Sequence, residues 1–284
     1  MDFAAVHRSI VGGDGYRLRY RTWTPPGPPR ATMILLNGVM SHSGWFQPLV
    51  EPLAGAGVKL VGADRRGTGL NDEARGDAPS AKTLVDDVTR IIDAERIAGS
   101  PVHLTGWCWG AVLALNVAAA RESELASLVL LAPGLYPTEV LKARMREQEA
   151  LARSSPPAVA CLESPIREDM FTRGPHLAGF IVKDALRVRH LSPRFHDIMT
   201  KLAMGATLRL GQLRLPMLLV LADGDEATDN AQTLRAFERI TKAPVSIEHV
   251  HGAHGLQFDA PEQLGRLLVS WTATVTSAAA AREP

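Results

Sequence analysis

Three short stretches carry side chains that can act as nucleophile, acid and base. The pentapeptide GWCWG places Cys108 between two glycines, with a tryptophan on each side. This spacing is typical of a sharp strand-to-helix turn that presents one reactive side chain at its apex. Further along the chain, LADGDEATD contains Asp223 and Asp225, and HGAHG contains His251 and His254. A thiolate, an imidazole base and a carboxylate that orients the imidazole form a nucleophilic set.

Each of these residues also has an ordinary structural explanation. A free cysteine is among the most buried residue types and is usually inert there. Acids in a loop and single histidines are common without any catalytic role. Their conjunction favours catalysis, since nucleophile, acid and base follow three predicted strands in that order. We select Cys108, Asp225 and His254 as the catalytic residues, and keep Asp223 and His251 as the alternatives for acid and base.

The turn itself favours a reactive thiolate. A helical stretch, AVLALNVAAA, follows Cys108 closely, and a helix N-terminus stabilises negative charge. Two backbone amides are expected to bind the oxyanion formed on attack: the N–H of Trp109, at the helix start, and the N–H of Val39, in the loop LLNGVMSHSGW. Trp107 and Met40, their neighbours in sequence, are assigned to substrate binding.

Short apolar runs alternate with helical patterns along most of the chain. Continuously apolar runs separated by amphipathic crossovers are typical of buried parallel strands. A hairpin formed by VHRSIV and YRLRYRTW precedes them. The pattern predicts an α/β protein with a mostly parallel, doubly wound sheet. The predicted strands cover 32–36, 58–63, 102–106, 127–132, 217–222 and 245–250, and the predicted helices include Ser80–Ala98, Ala111–Arg121 and Ala231–Ile240.

One segment interrupts the alternation. From about Tyr136 to Ala206 no strand is predicted, and helical patterns are broken by SSPP, ESP, RGP and LSP. We therefore expect a core formed by residues 1–135 and 208–284, with residues 136–207 as a helical cap over the strand ends. The alternative is a bulky connection without a role in the site.

Composition excludes several classes of function. The chain of 284 residues is 46% hydrophobic and 21% charged, with a formal net charge of +1. Near-neutral charge argues against nucleic acid or an anionic membrane as the main partner. The apolar runs are too short to span a bilayer, and no signal peptide is apparent. With only two cysteines, Cys108 and Cys161, the chain is expected to be cytoplasmic. No metal-ligand cluster or phosphate-binding glycine motif appears, so no cofactor or metal is predicted.

These motifs together resemble the α/β-hydrolase superfamily, in its monoacylglycerol-lipase and serine-aminopeptidase-like branch with a helical cap. The resemblance implies Asp225 as acid, His254 as base, and the amides of Val39 and Trp109 as oxyanion donors. The chain departs from the family where Asn37 replaces histidine and Cys108 replaces serine. The matching segments are NG at 37–38, ADRRGTGLND at 63–72, GWCWG at 106–110, LADGDEATD at 221–229 and GAHG at 252–255.

Sulfur in place of oxygen changes the expected substrate. Attack of a thiolate on a substrate thioester is nearly energy-neutral, whereas attack on an ester or amide is uphill. In the cysteine subset of the superfamily, the chain looks similar to aminoacyltransferases that move acyl groups between carrier-protein thiols. We therefore expect an acyltransferase or thioesterase acting on a carrier-protein phosphopantetheine or coenzyme A thioester, with an acyl-Cys108 intermediate. An ester hydrolase of small molecules and a binding protein on a hydrolase scaffold are the alternatives.

The cap carries arginines that bear on the choice of partner. Arg144, Arg146, Arg187, Arg189 and Arg194 lie in this segment. They suggest either contact with an acidic carrier protein or phosphopantetheine phosphate, or merely a solvated basic face.

Overall fold

A computed structural model describes residues 3–280 of the chain, and its strands form one large sheet and one short ribbon. The eight-stranded sheet has the order β1-β2-β4-β3-β5-β6-β9-β10. Strands β1 and β2 run antiparallel to their neighbours, and all the other pairs are parallel. The strands are β1 Val6–Val11, β2 Arg17–Trp23, β3 Ala31–Leu36, β4 Val58–Ala63, β5 Val102–Trp107, β6 Ser127–Leu131, β7 Leu162–Glu163, β8 His190–Leu191, β9 Met217–Ala222 and β10 Val245–Val250.

Helices connect these strands and cover the sheet. Several begin at a side chain that accepts a backbone N–H, as Ser80 does from Thr83 at the start of α2 and Thr138 does from Leu141 at the start of α4. The α-helices are α1 Val50–Gly55, α2 Ala81–Glu95, α3 Trp109–Arg121, α4 Glu139–Ser154, α5 Pro175–Lys183, α6 Pro193–Leu210, α7 Asn230–Phe237, α8 Leu256–Asp259 and α9 Pro261–Ala280; short 3-10 helices cover Ser43–Leu49, Glu122–Glu124 and Glu168–Met170.

The predicted α/β class is confirmed, and so is the position of each sheet strand. The central strands β3, β5, β6 and β9 consist entirely of buried residues, which explains why their sequences are continuously apolar. The boundaries of the helices are less well predicted. Helix α2 ends at Glu95 rather than Ala98, because Arg96 already has an extended backbone.

The segment 136–207 is mostly helical, but the prediction that it contains no strand is wrong. Strands β7 and β8 pair antiparallel through two residue pairs, Leu162 with Leu191 and Glu163 with His190. A strand of two residues is too short to produce an alternating pattern in the sequence. The boundaries of the cap stay a prediction; helix α6 continues through residue 207 and ends at Leu210.

Residues 3–280 hold neither a membrane-spanning helix nor a cluster of metal ligands. No helix in this range combines the length and the apolar character needed to cross a membrane. No group of three or more His, Cys, Asp or Glu side chains in the same range is arranged to hold a metal ion.

A buried arginine joins the N-terminal hairpin to the rest of the sheet. Arg66, whose side chain is 4% exposed, binds both carboxylate oxygens of Asp87 on α2, at 2.5 and 2.9 Å. Its two terminal nitrogens also bind Asp14 in the turn between β1 and β2, at 2.7 and 2.8 Å. The guanidinium therefore balances two carboxylates, one of which is buried.

We predict that Arg66→Met lowers the free energy of unfolding by about 3–5 kcal/mol, because it leaves the buried carboxylate of Asp87 unpaired. Urea unfolding followed by circular dichroism measures this change. Arg90→Met, on the exposed face of the same helix, is the control. An equal decrease in the free energy of unfolding in the two variants would contradict the stabilising role of the pair between Arg66 and Asp87.

Candidate active site

Cys108 lies at the apex of the turn between β5 and α3. Its backbone has φ 58° and ψ −128°, a conformation that L residues rarely adopt. The flanking glycines permit this tight turn. A Cβ added to Gly106 would lie 2.5 Å from the Cα of Ala111, and one added to Gly110 would lie 2.7 Å from the carbonyl oxygen of Asn37. The turn thus has the strained geometry expected for a residue presented at the end of a strand.

The structure brings Asp225 and His254 together at the ends of β9 and β10. The carboxylate Oδ2 of Asp225 lies 2.8 Å from Nδ1 of His254, and both side chains are fully buried. Thr228 fixes the carboxylate further, since its hydroxyl donates to Oδ2 at 2.7 Å and its amide donates to Oδ1 at 3.0 Å. The imidazole is therefore held at one nitrogen and leaves Nε2 for chemistry.

Charge around His254 favours its protonated form. Burial by itself lowers the pKa of this imidazole, but the carboxylate of Asp225 and the negative charge available at Cys108 outweigh it, so the pKa is raised well above the usual value. Among the described residues, Nε2 of His254 has no hydrogen-bond partner. The burial of Asp225 opposes its ionisation, but His254 and Thr228 hold the pKa of Asp225 below its usual value.

The alternative acid and base occupy different surroundings. Asp223 pairs with Nδ1 of His249 at 2.9 Å, and both side chains are about half exposed. His251 is exposed to solvent. Of the sequence-predicted alternatives, only Asp225 and His254 share a buried hydrogen bond.

Val39 and Trp109, the two residues predicted to supply oxyanion amides, line one cavity together with Cys108. Within residues 3–280, neither the N–H of Val39 nor the N–H of Trp109 donates to another backbone group. Asn37, which replaces the family histidine, donates its side-chain amide to the carbonyls of Gly38 at 3.0 Å and of Ser41 at 2.6 Å. This contact holds the loop after β3 without an imidazole.

Arg65 is a functional candidate that the sequence analysis missed. It follows β4, is 5% exposed, and donates to the carbonyl of Gly38 at 3.2 Å and to the carbonyl of Val39. Because the peptide bond is trans, holding the carbonyl of Gly38 turns the N–H of Val39 to the opposite side. The one available signal was ADRRG, two consecutive arginines directly after a buried strand.

The charge of Arg65 also acts at Cys108. Burial lowers the pKa of this guanidinium to about 9, although the negative charges of Asp64 and Cys108 favour its protonation. Its Cζ atom lies 5.5 Å from the ring centre of Trp109 and 4.9 Å from that of Phe195. A cation that remains charged at neutral pH therefore lies buried near the thiol.

A mostly apolar cavity of about 270 Å³ reaches Cys108 and His254. More than half of its lining residues belong to the segment 136–207. Its polar lining is sparse. The lining residues are Val39, Cys108, Trp109, Gly134, Leu135, Pro137, Leu141, Met145, Pro165, Ile166, His196, Met199, Thr200, Ala203, Met204, Ala227, Thr228 and His254.

The two predicted substrate-binding residues do not line this cavity. Trp107 is fully buried, and its indole N–H donates to the carbonyl of His254 at 2.8 Å, so it supports the loop of the base instead. Its ring centre lies 5.7 Å from that of His254, so the indole packs beside the base without lining the cavity. Met40 is also buried and lines a separate cavity beside the cap.

The sheet order, the strained turn and the acid–base pair at the strand ends define an α/β-hydrolase fold. Comparison with known families gives the particular group: a family model described as serine aminopeptidase, S33, matches residues 27–261. The chain belongs to this family of α/β hydrolases.

Similar sequences include characterised bacterial and animal proteins. Phospholipase YtpA of Bacillus subtilis is 25% identical over 245 residues, which cover 85% of this chain and 93% of that protein. Monoacylglycerol lipase of Mycolicibacterium smegmatis is 24% identical over 265 residues, covering 90% and 91%. Human monoglyceride lipase is 31% identical over 126 residues, covering 44% and 42%.

Solved structures confirm the fold. A soluble variant of the monoglyceride lipase of Saccharomyces cerevisiae superposes with a TM-score of 0.83 at 14% identity, covering 97% of this chain and 96% of that one. The monoacylglycerol lipase of Paleococcus ferrophilus gives a TM-score of 0.76 at 21% identity, covering 90% and 99%.

We predict that Asp225→Asn slows alkylation of Cys108 by iodoacetamide at pH 6.5 by about tenfold or more. The variant removes the carboxylate that raises the pKa of His254, so the imidazole loses its proton at a lower pH and no longer balances a thiolate. Peptide mapping after timed alkylation measures the rate.

Asp223→Asn provides a matched control two residues away, since Asp223 pairs with the exposed His249. If iodoacetamide alkylates Cys108 at the wild-type rate in both variants, the proposed charge coupling between Asp225, His254 and Cys108 does not exist.

Proposed function

We propose that this chain is an acyl hydrolase that cleaves esters of apolar acyl groups through a covalent acyl-Cys108 intermediate. The observation that carries the proposal is the buried Asp225–His254 hydrogen bond beside Cys108, at the end of an apolar cavity. The names of the relatives, which are lipases and a phospholipase, support ester substrates.

Acylation begins with the thiolate of Cys108 attacking the acyl carbon. The carbonyl oxygen becomes an oxyanion, to which the amides of Val39 and Trp109 donate. The imidazolium of His254 then donates its Nε2 proton to the leaving oxygen, the carbon–oxygen bond breaks, and the alcohol departs. Asp225 keeps the imidazole oriented and stabilises its charge throughout.

Deacylation uses the same groups in the reverse order. Neutral His254 accepts a proton from water, and the resulting hydroxide attacks the thioester carbon of acyl-Cys108. The tetrahedral intermediate collapses, the carbon–sulfur bond breaks, and the carboxylic acid leaves. The thiolate and the imidazolium are thereby restored.

The cavity supports an apolar acyl group. Its volume of about 270 Å³ lies near the small end of ligand pockets, and methionine and leucine side chains from α4 and α6 supply much of its wall. Unbranched methionine side chains adapt to a flexible chain. We propose residues 136–207 as the cap that forms this acyl pocket.

We assign Arg65 a positioning role in this reaction. Its hydrogen bonds to the carbonyls of Gly38 and Val39 direct the N–H of Val39 toward the oxyanion. Its buried positive charge also favours the oxyanion that forms on attack. Arg65 contacts neither the acyl group nor the leaving group in this scheme.

A second candidate is favoured by the sulfur atom at the apex of the turn. A thioester formed from an ester lies uphill, so acylation of Cys108 by an ester is expected to limit turnover. A substrate thioester exchanges with Cys108 at nearly no cost in free energy. The second candidate is therefore acyl transfer or hydrolysis of a coenzyme A or carrier-protein thioester, a partner that the names of the relatives do not support.

We predict that wild type hydrolyses 1-octanoylglycerol with a kcat/KM at least equal to that for the matched octanoyl thioester of N-acetylcysteamine, and that Cys108→Ala lowers both by about 1000-fold or more. Steady-state release of octanoic acid from each substrate gives the two rates. Cys161→Ala, which changes the cysteine outside the cavity, is the control.

The ratio of the two kcat/KM values separates the ester hydrolase from the thioester-processing enzyme. A thioester preference of about 100-fold, together with transfer to an added thiol, would replace the ester hydrolase by the second candidate. Full activity in Cys108→Ala would overturn both.

We predict that Arg65→Met lowers kcat/KM by about 100-fold, the cost of one oxyanion donor, with the loss in kcat rather than in KM. Arg65→Lys keeps the charge and is expected to restore part of the lost kcat. A rise in KM as large as the fall in kcat/KM, without any rescue by Arg65→Lys, would reduce Arg65 to a structural role.

A further inference from the structure

A second cavity of about 250 Å³ lies in the cap, and its lining differs sharply from that of the acyl pocket. Four arginines line it, Arg144, Arg167, Arg187 and Arg189, against two glutamates, Glu163 and Glu168. With His190 neutral, the lining carries a net charge of +2. We call this space the arginine cavity.

Arg187 is the buried centre of the arginine cavity. Its side chain is 5% exposed, and its Nη2 pairs with Glu168. Its Nε and Nη1 atoms are buried without a hydrogen-bond partner among the described residues. A buried charged donor without a partner is costly, and an anionic oxygen would satisfy it.

Two of the other arginines of the cavity already have hydrogen-bond partners inside the protein, and the third has a nitrogen left free by the described part of the chain. The Nε and Nη2 atoms of Arg167 each donate to the carboxylate of Asp169 at 2.8 Å, and Arg189 donates to the carbonyl of Val182 at 2.7 Å. The Nη1 atom of Arg144, on α4, is buried and has no partner within residues 3–280. Arg144 and Arg187 thus supply the free donors.

The arginine cavity adjoins the proposed reaction centre. Ile166 lines both this cavity and the acyl pocket. Met40, which follows the proposed oxyanion residue Val39, lines the arginine cavity, and its carbonyl accepts from the N–H of Val188 at 2.8 Å. An anion held here would lie next to the oxyanion loop, outside the apolar space that takes the acyl chain.

We propose that the arginine cavity binds a phosphate group carried by the leaving portion of the substrate. Two guanidinium forks match the oxygens of a phosphate better than a single carboxylate would. The inference rests on the proposed function, because it places the phosphate on the group that departs when Cys108 is acylated. That group is either a short polyol phosphate or a phosphopantetheine arm.

Direct binding tests the arginine cavity without any turnover. Inorganic phosphate is titrated into wild type, Arg187→Met and Arg144→Met by isothermal calorimetry. We expect wild type to bind phosphate and each variant to bind at least about tenfold more weakly. Arg153→Met is the matched control, since Arg153 lies on the same helix as Arg144 with its side chain 72% exposed. If Arg187→Met does not fold, Arg144→Met carries the test.

Matched substrates then identify the source of the phosphate. One pair is 1-octanoylglycerol and 1-octanoylglycerol 3-phosphate; the other is octanoyl-pantetheine and octanoyl-4′-phosphopantetheine. We expect the phosphate to raise kcat/KM by about tenfold or more in one pair, and Arg187→Met to bring the ratio of kcat/KM between the phosphorylated and the neutral substrate in that pair close to one.

Failure of this inference is distinguishable from failure of the proposed function. If the neutral esters are hydrolysed while phosphate neither binds nor raises kcat/KM in either pair, the arginine cavity is not a phosphate site and the hydrolase proposal stands. If phosphate binds and Arg187→Met weakens it while no octanoyl substrate is cleaved, the cavity is supported and the proposed function is overturned.

Discussion

The site depends on holding Cys108 in a backbone conformation that its side chain disfavours. Such a strained residue costs about 1–3 kcal/mol, so its surroundings must fix it. The amide of Cys108 donates to the carbonyl of Leu131 at 3.0 Å, and its carbonyl accepts from Gly134 at 2.9 Å and from Ala111 at 3.1 Å. Buried strands on both sides and two glycines that admit no Cβ complete the constraint. The result is a thiol at the carboxyl edge of the sheet, against the base.

Buried charge is the second organising feature. Asp225, His254 and Arg65 are each removed from water, which would normally disfavour all three ionised forms. They are stable together because each has a compensating neighbour: a carboxylate beside the imidazole, and backbone carbonyls and aromatic rings around the guanidinium. Because these groups are shielded from water, charge that develops at sulfur or at a carbonyl oxygen interacts strongly with them.

Much of the fold was predictable from the sequence because its signals are local. The six parallel strands, five of them largely buried, are predicted by short apolar runs, and GWCWG predicts both the turn and its apex. The pairing of Asp225 with His254 also followed from strand-end positions, since neighbouring parallel strands end at one edge. The two-residue strands β7 and β8 left no periodic signal. The orientation of Trp107 was missed because adjacency in sequence to Cys108 does not mean adjacency to the cavity.

The positions of two arginines could not be predicted, because they depend on contacts between residues far apart in the chain. Arg65 reaches the loop after β3, 26 and 27 residues away, and nothing in ADRRG specifies that contact. The buried Arg187 pairs with Glu168, which lies 19 residues earlier in the chain. Such placements are set by tertiary packing rather than by local propensity.

We propose that an acyl group becomes bonded to the sulfur of Cys108 during turnover. Acid quenching within the first turnovers with an octanoyl thioester, followed by peptide mass spectrometry, tests this directly. We expect an octanoyl adduct on the peptide that contains Cys108, which disappears as the product acid forms. Product formation without an adduct on that peptide, or an adduct on Cys161 alone, would contradict it.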